Sequence, residues 1–421
     1  QSSAESVIVG AGLTVGTITQ KSSLTIPIGN VIRQNPIAGT DVSSGTAVDL
    51  VISTGPIQIS DVIDLQKIGN DPSYPLDGEY ELTQDIDASA TMNWNGGAGF
   101  APIGNNTNPL TGVFDGKGHK ITNLYINRPS QNFIGLFGYI GNGGQVKNLG
   151  IENVQVVGAY YIGGLVGNNG GALTQSYLIG SVSGVSRVGG LVGVNSGAIT
   201  QSYFTGSVSG TGNYIGGLVG WNNETIMQSY STGSVSGNFY VGGLVGSNNG
   251  GTISQSYWDT ETSGQSTSAG GEGKTTAEMK QQVTFVNWDF TTVWGIVENT
   301  TYPYLKWQYQ VPDVVGLSQS SAESAITGAG LAVGTVSQQC SNEVSVGNVA
   351  SQTPTAGTQA SPGSVVNLVV STGPCPVDVP DVVGISQSSA ESAITGAGLT
   401  VGTVTQQCSD TVSAGNVISQ S

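Results

Sequence analysis

Short apolar segments, separated by glycines and polar turns, repeat along the middle of the chain. Four near-copies of one sequence begin at positions 161, 188, 214 and 240, and each contains Gly-Gly-Leu-Val-Gly. The leucine of this motif recurs at positions 165, 191, 218 and 244, so the repeat is 26 or 27 residues long. A fixed period of this size indicates a stacked array, because one unit cannot bury its own apolar face.

Each repeat is predicted to contain three short strands joined by turns. In the second copy these are Val-Gly-Gly-Leu-Val-Gly, Gly-Ala-Ile-Thr-Gln-Ser-Tyr and Thr-Gly-Ser-Val-Ser-Gly. Equivalent side chains align as ladders if each repeat is one turn of a parallel β-helix, with about 4.8 Å between turns. The asparagines at positions 169, 195, 222 and 248 are expected to form one such ladder in a turn. The predicted fold class is mainly β, with a parallel β-helix (β-solenoid) over residues 57–310.

The solenoid is expected to have a helical cap at its N-terminal end. Ser60 is a candidate N-cap of a short helix in which Val62, Leu65 and Ile68 form an apolar stripe. After it, residues 133–158 match a degenerate first repeat.

A second cap is expected at the C-terminal end. Thr275 and Glu278 have the spacing of a capping box before another helix. The aromatic-rich segment 285–307 is predicted to cover the exposed strand edges of the last turn.

Three segments outside the solenoid are copies of a different unit. Residues 311–374 form a complete copy, residues 1–56 lack its first strand, and residues 375–421 hold a linker and an incomplete copy. Each copy contains Ser-x-x-Glu, which predicts a capping box at the start of a helix, and the later copies have a glycine where that helix is expected to end. Alternating sequences such as Ser-Val-Val-Asn-Leu-Val-Val-Ser predict strands, so each copy is a small α+β module. The residues concerned are Ser2/Glu5, Ser320/Glu323 and Ser388/Glu391, with Gly328 and Gly396.

These modules resemble the PASTA domain. The resemblance lies in Val-Pro-Asp-Val-Val-Gly at positions 311 and 379, in Ala-Gly-Leu after the helix, and in the closing Ser-Thr-Gly-Pro. PASTA domains occur outside bacterial cells on penicillin-binding proteins and serine/threonine kinases. The resemblance implies either recognition of peptidoglycan fragments or β-lactams, or a role as a spacer.

The middle domain resembles the GLUG-repeat family, named for its Gly-Leu-aliphatic-Gly core, here Gly-Leu-Val-Gly at positions 164, 190, 217 and 243. The resemblance extends to Asp-Leu-Gln-Lys-Ile-Gly-Asn-Asp at position 64 and Lys-Thr-Thr-Ala-Glu-Met-Lys at position 274. GLUG repeats occur in bacterial surface and secreted proteins, including large adhesins and an IgA-cleaving protease family. The resemblance implies a surface location but no proteolysis, because the zinc motif His-Glu-x-x-His is absent and His119 is the single histidine.

The balance of charges restricts the possible partners. Charged residues make up 9% of the chain, and the formal net charge is −16 at pH 7. Nucleic acid is not an expected partner, since no basic stripe could displace counterions. No apolar run approaches the ~18 residues that a membrane span needs. We expect an extracellular or cell-surface segment without membrane insertion, which continues past both ends because each end falls inside a module.

Catalysis in the solenoid is not expected. Glycan-active sites need two carboxylates, or a base with a cation, on one face. Within residues 161–264 the only charged residues are Arg187, Glu224, Asp259 and Glu261. No catalytic residue is assigned, and Asp115-Gly-Lys-Gly-His119 is interpreted as a tight turn.

No cofactor or metal site is assigned either, although bound calcium stays open. Aspartates are scattered near the N-terminal cap, but none follows the spacing of a calcium-binding loop. They are Asp61, Asp64, Asp71, Asp77, Asp85 and Asp87.

Three aromatic residues are candidates for stacking against glycans. Trp221 and Tyr240 are expected in turn or edge positions, and Trp94 lies in a Gly-rich loop. Packing in the core or in the caps is the favoured interpretation for Trp94 and for the tyrosines at positions 177, 203, 230 and 257.

The cysteines predict one disulfide. Cys340 and Cys408 occupy the same place in two modules, and Cys375 follows the end of a module. This arrangement predicts a bond between Cys340 and Cys375 that contributes about 3–4 kcal/mol and implies an oxidising, extracellular setting. Cys408 is expected to pair beyond Ser421, and Lys21 is taken to occupy the matching place in the first module.

The sequence favours a structural and adhesive segment of a bacterial extracellular fibre or surface protein. It would self-associate or continue as a longer fibre, and it could present a face to cell-wall or surface glycans. The alternatives are a peptidoglycan-binding cell-wall module and a glycan-active β-helix enzyme.

Overall fold

The computed structural model describes residues 1–421 and divides them into two compact units, residues 1–308 and residues 309–421. The first unit holds the first small module and the solenoid. Four parallel sheets, called faces A to D in the order in which the chain visits them, surround one apolar core in about seven turns. The predicted fold class, mainly β with a parallel β-solenoid, is confirmed.

The strands of each face follow one another along the solenoid. Face A contains Ile57–Ile59, Glu79–Leu82, Val113–Asp115, Gln145–Lys147, Ala172–Thr174, Ala198–Thr200, Thr225–Met227 and Ile253–Ser254. Face B contains Ile86–Asp87, Lys120–Thr122, Tyr125–Asn127, Gly150–Val157, Tyr177–Gly184, Tyr203–Gly210, Tyr230–Ser231, Ser234–Ser236, Tyr257–Asp259 and Glu272–Lys274. Face C contains Tyr160–Gly163, Ser186–Gly189, Asn213–Gly216 and Phe239–Gly242. Face D contains Phe137–Ile140, Val166–Asn169, Val192–Asn195, Val219–Asn222 and Val245–Asn248.

Each regular turn therefore has four strands, not the predicted three. The segment around Gly-Gly-Leu-Val-Gly is two strands, because the chain bends from face C to face D within it. A Cβ atom on Gly163 would lie 2.6 Å from the carbonyl oxygen of Leu191, and one on Gly164 would lie 2.8 Å from that of Gly190, both in the next turn. Glycine is needed at this bend because the backbone of one turn approaches its neighbours so closely.

The predicted asparagine ladder is present on the inner side of face D. Asn169 donates from Nδ2 to Oδ1 of Asn195 at 2.9 Å, and Asn195 donates in the same way to Asn222 at 2.8 Å. Asn222 continues the ladder to Asn248 at 2.9 Å. The first three of these residues are buried, so the ladder satisfies amides that have no access to water.

Asn195→Ala is expected to lower the free energy of unfolding by about 2 kcal/mol, because the buried amides of Asn169 and Asn222 each lose a partner. Asn249→Ala is the matched control, since Asn249 is exposed and its side chain donates to Asn223, which is outside the ladder. Urea denaturation followed by circular dichroism measures both variants. Equal effects of the two substitutions would contradict a stabilising role for the ladder.

The N-terminal end carries the expected helix, Val62–Lys67, but its N-cap is Asp61 and not Ser60. The Asp61 carboxylate accepts from the backbone amides of Ile63 and Asp64. Ser60 does not cap the helix, because its hydroxyl donates to the Asp64 carboxylate. The Asp61 carboxylate, in contrast, accepts from two free amides of the first turn. Val62, Leu65 and Ile68 pack into the solenoid core, as the apolar stripe predicts.

The C-terminal end is closed by the polar segment 265–274, not by the aromatic segment that was predicted to cap it. After the helix Thr260–Ser263, the hydroxyl of Ser268 lies within hydrogen-bonding distance of Leu244 and Val245 in the last turn. Strand Glu272–Lys274 then joins face B beside Tyr257–Asp259. Polar backbone and serine groups cover the open end because the exposed strand edge offers mainly hydrogen-bonding groups.

The aromatic segment 285–308, here called the clasp, runs back along the outside of the solenoid. It follows the 3-10 turns Glu278–Lys280 and Gln282–Thr284, and it contains the antiparallel strands Trp294–Gly295 and Tyr304–Leu305 and the 3-10 turn Lys306–Gln308. The predicted capping box is formed, since Thr275 and Glu278 exchange backbone and side-chain hydrogen bonds. The helix predicted after it is absent, and the two short 3-10 turns stand in its place.

The clasp covers a column of four tyrosines at the start of the face B strands, Tyr177, Tyr203, Tyr230 and Tyr257. The rings of Tyr177, Tyr203 and Tyr230 stack at centroid distances of 5.0 and 4.8 Å. Trp288 and Trp294 lie against this column, and Trp307 contacts Tyr177 at 5.6 Å. The favoured interpretation of these tyrosines as packing residues is correct, but they pack on the flank of the solenoid.

The small modules share one topology. The first has helix Ser2–Gly10 and strands Thr14–Lys21, Val31–Asn35 and Ala47–Ser53, and the second has helix Gln319–Gly328 and strands Ala332–Gln339, Val349–Thr353 and Val365–Ser371. In both sheets the last strand lies in the centre. The third copy has helix Gln387–Gly396 and no strand, because residues equivalent to the central strand do not occur before Ser421.

The helix caps of the modules differ from the prediction. The N-cap residues are Ser318 and Ser386, whose hydroxyls accept from the amides three residues on. Ser320 and Ser388 lie inside the helices, and Glu323 and Glu391 pair with glutamines of the first turn. In the first module Gln1 is at the N-cap without a side-chain cap, so Ser2 and Glu5 form no capping box.

The helix ends also differ. Gly328 and Gly396 are the last helical residues, and the left-handed turn falls two residues later, at Gly330 and Gly398, with φ of 71° and 77°.

Cys340 and Cys375 form a disulfide, with an S–S distance of 2.09 Å. The register of the two sheets corrects the equivalence assumed for the first module. Lys21 pairs with Ser53 as Gln339 pairs with Ser371, so Ser22, not Lys21, corresponds to Cys340.

Candidate functional site

A column of large side chains lies on the outside of the solenoid, at one position in five successive turns. Each member directly precedes an inward-pointing aliphatic residue of face C, and those aliphatic residues pair from turn to turn. All five have a positive φ, between 53° and 68°, which is rare for bulky residues. The members are Phe133, Tyr161, Arg187, Tyr214 and Tyr240.

The rings of this column stack on one another. Phe133 and Tyr161 lie 4.6 Å apart with an interplanar angle of 11°, and Tyr214 and Tyr240 lie 5.1 Å apart at 26°. Arg187 fills the gap between them, with its guanidinium carbon 5.0 Å from the Tyr161 ring centre and 5.6 Å from that of Tyr214. Cation–π attraction therefore continues the stack through the arginine.

Trp221, on the neighbouring face D, packs against this column from the side. Its ring is perpendicular to that of Tyr214 at 4.6 Å, and the Arg187 guanidinium lies 5.3 Å from its centre. The indole N–H donates to Asn223, which belongs to an exposed polar row with Ser196 and Asn249. We call Phe133, Tyr161, Arg187, Tyr214, Trp221 and Tyr240 together the aromatic face.

The structure brings two of the three predicted glycan-binding aromatics together on this face. Trp221 is partly exposed, and Tyr240 is 64% exposed at the end of the column. The other members were missed by sequence reasoning. The available signal was their shared place two residues before Gly-Gly-Leu-Val-Gly, or before Gly-Leu-Phe-Gly in the degenerate first repeat, which marks one position in every turn.

Trp94 lies elsewhere, near the N-terminal end. It lies at a kink within the segment Ser89–Gly97, where its backbone is extended, and it packs at 6.4 Å against Phe100, in line with the favoured packing interpretation. It also lines an open cavity of about 400 Å³ with Gln66, Asn70 and Asn95. Both polar ends of the Gln66 amide bond to the backbone of Ala101, so that wall of the cavity is fixed.

Charged residues concentrate in the early turns, where they pair with one another. His119 contacts Asp85 at 3.2 Å, and a backbone turn with positive φ at Lys117 and Gly118 connects the strands beside it, as the tight-turn interpretation predicts. Burial acts to raise the pKa of Asp85, yet hydrogen bonds from His119 and from the Lys120 amide lower it overall.

The aspartates considered for calcium are occupied by other contacts. Asp61 caps a helix, Asp77 pairs with Lys21, and Asp87 bonds Asn123 and Ser89. No three acidic, histidine or cysteine side chains come together in a metal-binding arrangement. The longest helices have ten residues, and none has the length and apolar character to cross a membrane.

Comparison with known proteins identifies the small modules. The family model described as the PASTA domain matches residues 1–54, 309–372 and 377–421, so the chain carries PASTA domains on both sides of the solenoid. Halomucin of Haloquadratum walsbyi is 37% identical over 163 residues, which are 37% of this chain and 2% of halomucin. The chain thus spans a very small part of this relative.

Two solved structures are also similar to parts of the chain. The three-PASTA-domain region of a Ser/Thr kinase from Staphylococcus aureus is 28% identical, with a TM-score of 0.23, over 27% of this chain and 56% of that one. An IgA1 protease is 25% identical, with a TM-score of 0.38, over 47% of this chain and 16% of that one. The PASTA match and the disulfide together indicate a surface or cell-wall-associated module.

Proposed function

We propose that the chain is a non-catalytic, adhesive segment of an extracellular surface protein, and that its solenoid binds polysaccharide through the aromatic face. The observation that carries the proposal is the aromatic face itself: six large side chains held in register across five turns, beside a row of exposed amides and hydroxyls. Rigid aromatic and amide groups suit sugar ligands, since little conformational freedom is lost on binding. A repeating surface also suits a repeating ligand.

Three further observations support this proposal. The solenoid resembles GLUG repeats of bacterial surface proteins and adhesins in its Gly-Leu-Val-Gly motifs. On the aromatic face the only charged residue is Arg187, and a hydrolase would need a pair of acids there. The disulfide is typical of an oxidising, extracellular setting.

The PASTA match favours a second candidate function, binding of the cell wall through the small modules. In that case the full chain would sediment with purified sacculi whether or not the aromatic face is intact.

If the chain is instead part of a fibre, the same modules act as spacers between solenoids. Electron microscopy of the full chain would then show end-to-end association.

Trp221→Ala is expected to weaken polysaccharide binding about tenfold, because it removes the indole and the support of Arg187. A polysaccharide array followed by titration calorimetry measures the loss, and reducing-end assays on the bound polymers are expected to show no cleavage. Ile179→Ala is the control, since Ile179 is an exposed apolar residue that lies on face B, away from the aromatic face. Binding that is equal in both variants would rule out the aromatic face, and cleavage would rule out the non-catalytic assignment.

A further inference from the structure

We infer that the aromatic face recognises carboxylate groups of an acidic polysaccharide, and that Arg187 is the residue that binds them. The inference rests on the polysaccharide binding proposed above and names the class of sugar. It also changes the expected chemistry of contact, from stacking on sugar rings to recognition of sugar oxygens.

Arg187 has hydrogen-bonding capacity that the protein does not use. A guanidinium carries several N–H donors in one plane, and Arg187 uses one of them, donating from Nη1 to the Tyr161 hydroxyl at 3.3 Å. None of the ion pairs in the chain includes Arg187. Arg187 is partly exposed, and its remaining N–H groups make no hydrogen bond or ion pair within the protein. A carboxylate can accept two parallel hydrogen bonds from such a group.

The orientation of the rings favours the same ligand. Stacking and cation–π contacts occupy the ring faces of Tyr161 and Tyr214, the two rings inside the column, so these residues present mainly their edges to a ligand. Ring edges carry the positive end of the aromatic quadrupole, and the tyrosine hydroxyls add donors. This surface attracts oxygen lone pairs, whereas the C–H face of a neutral sugar would need exposed ring faces. Phe133 and Tyr240, at the two ends of the stack, have no further ring of the column beyond them.

The guanidinium is held in place before any ligand arrives. Tyr161, Tyr214 and Trp221 contact it at 5.0, 5.6 and 5.3 Å. The backbone at Arg187 is left-handed, with φ of 54°, a conformation that bulky residues rarely adopt. Residues persist in such conformations where the surroundings fix them, and this is frequent at binding sites. A fixed guanidinium loses little rotational freedom on binding.

The net charge of the protein affects how the binding affinity should depend on salt concentration. The chain has a net charge of −16, and Glu224 follows Trp221 in the same turn, so an acidic polymer is repelled at long range. Salt screens charges that lie more than about 10 Å apart at 0.1 M, while the partly buried contact with Arg187 is screened less. Affinity is therefore expected to hold or to rise between low salt and 0.1 M.

The test compares an oligogalacturonide with its methyl ester of equal length, titrated into the full chain by calorimetry. The acid form is expected to bind at least about tenfold more tightly than the ester. Arg187→Gln is expected to remove this preference, and Arg187→Lys to keep part of it, since lysine retains the charge but not the planar fork. Met227→Ala, on face A, is the control.

Arg187→Gln is a structurally mild variant, because the chain already places glutamine in left-handed conformations at Gln175, Gln201 and Gln228, with φ of 46° to 50°. Thermal unfolding monitors folding of each variant. Equal binding of acid and ester, or an unchanged preference in Arg187→Gln, would overturn the inference while leaving the proposed function intact. If no polysaccharide binds at all, both fail. If poly-glutamate binds as tightly as the oligogalacturonide, the face is a general anion site and the polysaccharide assignment is wrong.

Discussion

Replacing Trp294 with alanine is expected to lower the free energy of unfolding of the solenoid by about 3–5 kcal/mol. Trp294 is fully buried and is the centre of the contact between the clasp and the tyrosine column. Its ring lies 6.4 Å from Tyr203, 6.1 Å from Tyr230 and 4.4 Å from Trp288. Loss of the indole leaves a cavity that these aromatic neighbours, each fixed by its own stacking, cannot fill. The midpoint of urea unfolding, followed by circular dichroism, measures the effect.

The same variant is expected to expose the clasp to protease before the rest of the solenoid. Other contacts that hold the clasp are the hydrogen bonds of Tyr230 to Pro303 and of Gln308 to Tyr203. Once the clasp detaches, the tyrosine column faces water, whereas the core behind it keeps its own packing. Limited proteolysis with mass spectrometry is therefore expected to find first cleavages within residues 285–308.

Trp294→Phe is the matched control for this prediction. The Trp294 indole nitrogen is buried and has no hydrogen-bond partner, and an unsatisfied buried donor costs about 1–3 kcal/mol. Phenylalanine removes that donor and keeps most of the ring, so its effect is expected to be less than half that of alanine. Val283→Ala, at an exposed position beside the clasp, gives the background. If Trp294→Ala destabilises no more than Val283→Ala, the clasp does not hold the solenoid together.

The sequence predicted the solenoid core because its signal repeats at every turn. Leu165, Leu191 and Leu218 recur with the period of one turn, and each is fully buried. The asparagine ladder followed from the same period. The number of strands per turn did not, because the bend at Gly163 and Gly164 depends on contacts with the next turn, which local sequence does not show.

The two aromatic columns show where prediction from sequence ends. Both the tyrosine column and the aromatic face point outward at one position per turn, so the repeat gives them the same pattern. Only the path of residues 285–308 decides that the first is covered and the second stays exposed. That path depends on contacts over long sequence distances, such as Gln308 with Tyr203.

The candidate site could be predicted only in part for a similar reason. Trp221 and Tyr240 stand out as aromatic residues in turns, whereas Arg187 has no aromatic neighbour in its own sequence segment. Its three ring contacts come from the turns before and after it. Alignment of the repeats by position, rather than by residue type, would have placed it in the column.

Removal of the disulfide by a Cys340→Ser/Cys375→Ser double substitution is expected to destabilise the second PASTA domain by about 3–4 kcal/mol. The bond spans 35 residues, including strands Val349–Thr353 and Val365–Ser371, and it limits the freedom of this loop in the unfolded chain. The solenoid transition should not move, since the loop lies in the other compact unit. Hydrogen exchange of the full chain, resolved by peptide, measures both regions in one experiment.

Cys408→Ser is the matched control, because Cys408 is exposed and unpaired and occupies the place equivalent to Cys340 in the third copy.

The first PASTA domain shows why one module needs the bond and another does not. Its residue equivalent to Cys340, Ser22, accepts a hydrogen bond from the Glu79 amide, and the nearby Lys21 pairs with Asp77, so the solenoid itself fixes the end of that module. In the second domain the disulfide replaces this support. Faster exchange confined to residues 309–374 in the double variant is the expected result, and unchanged exchange there would show that the bond contributes no stability.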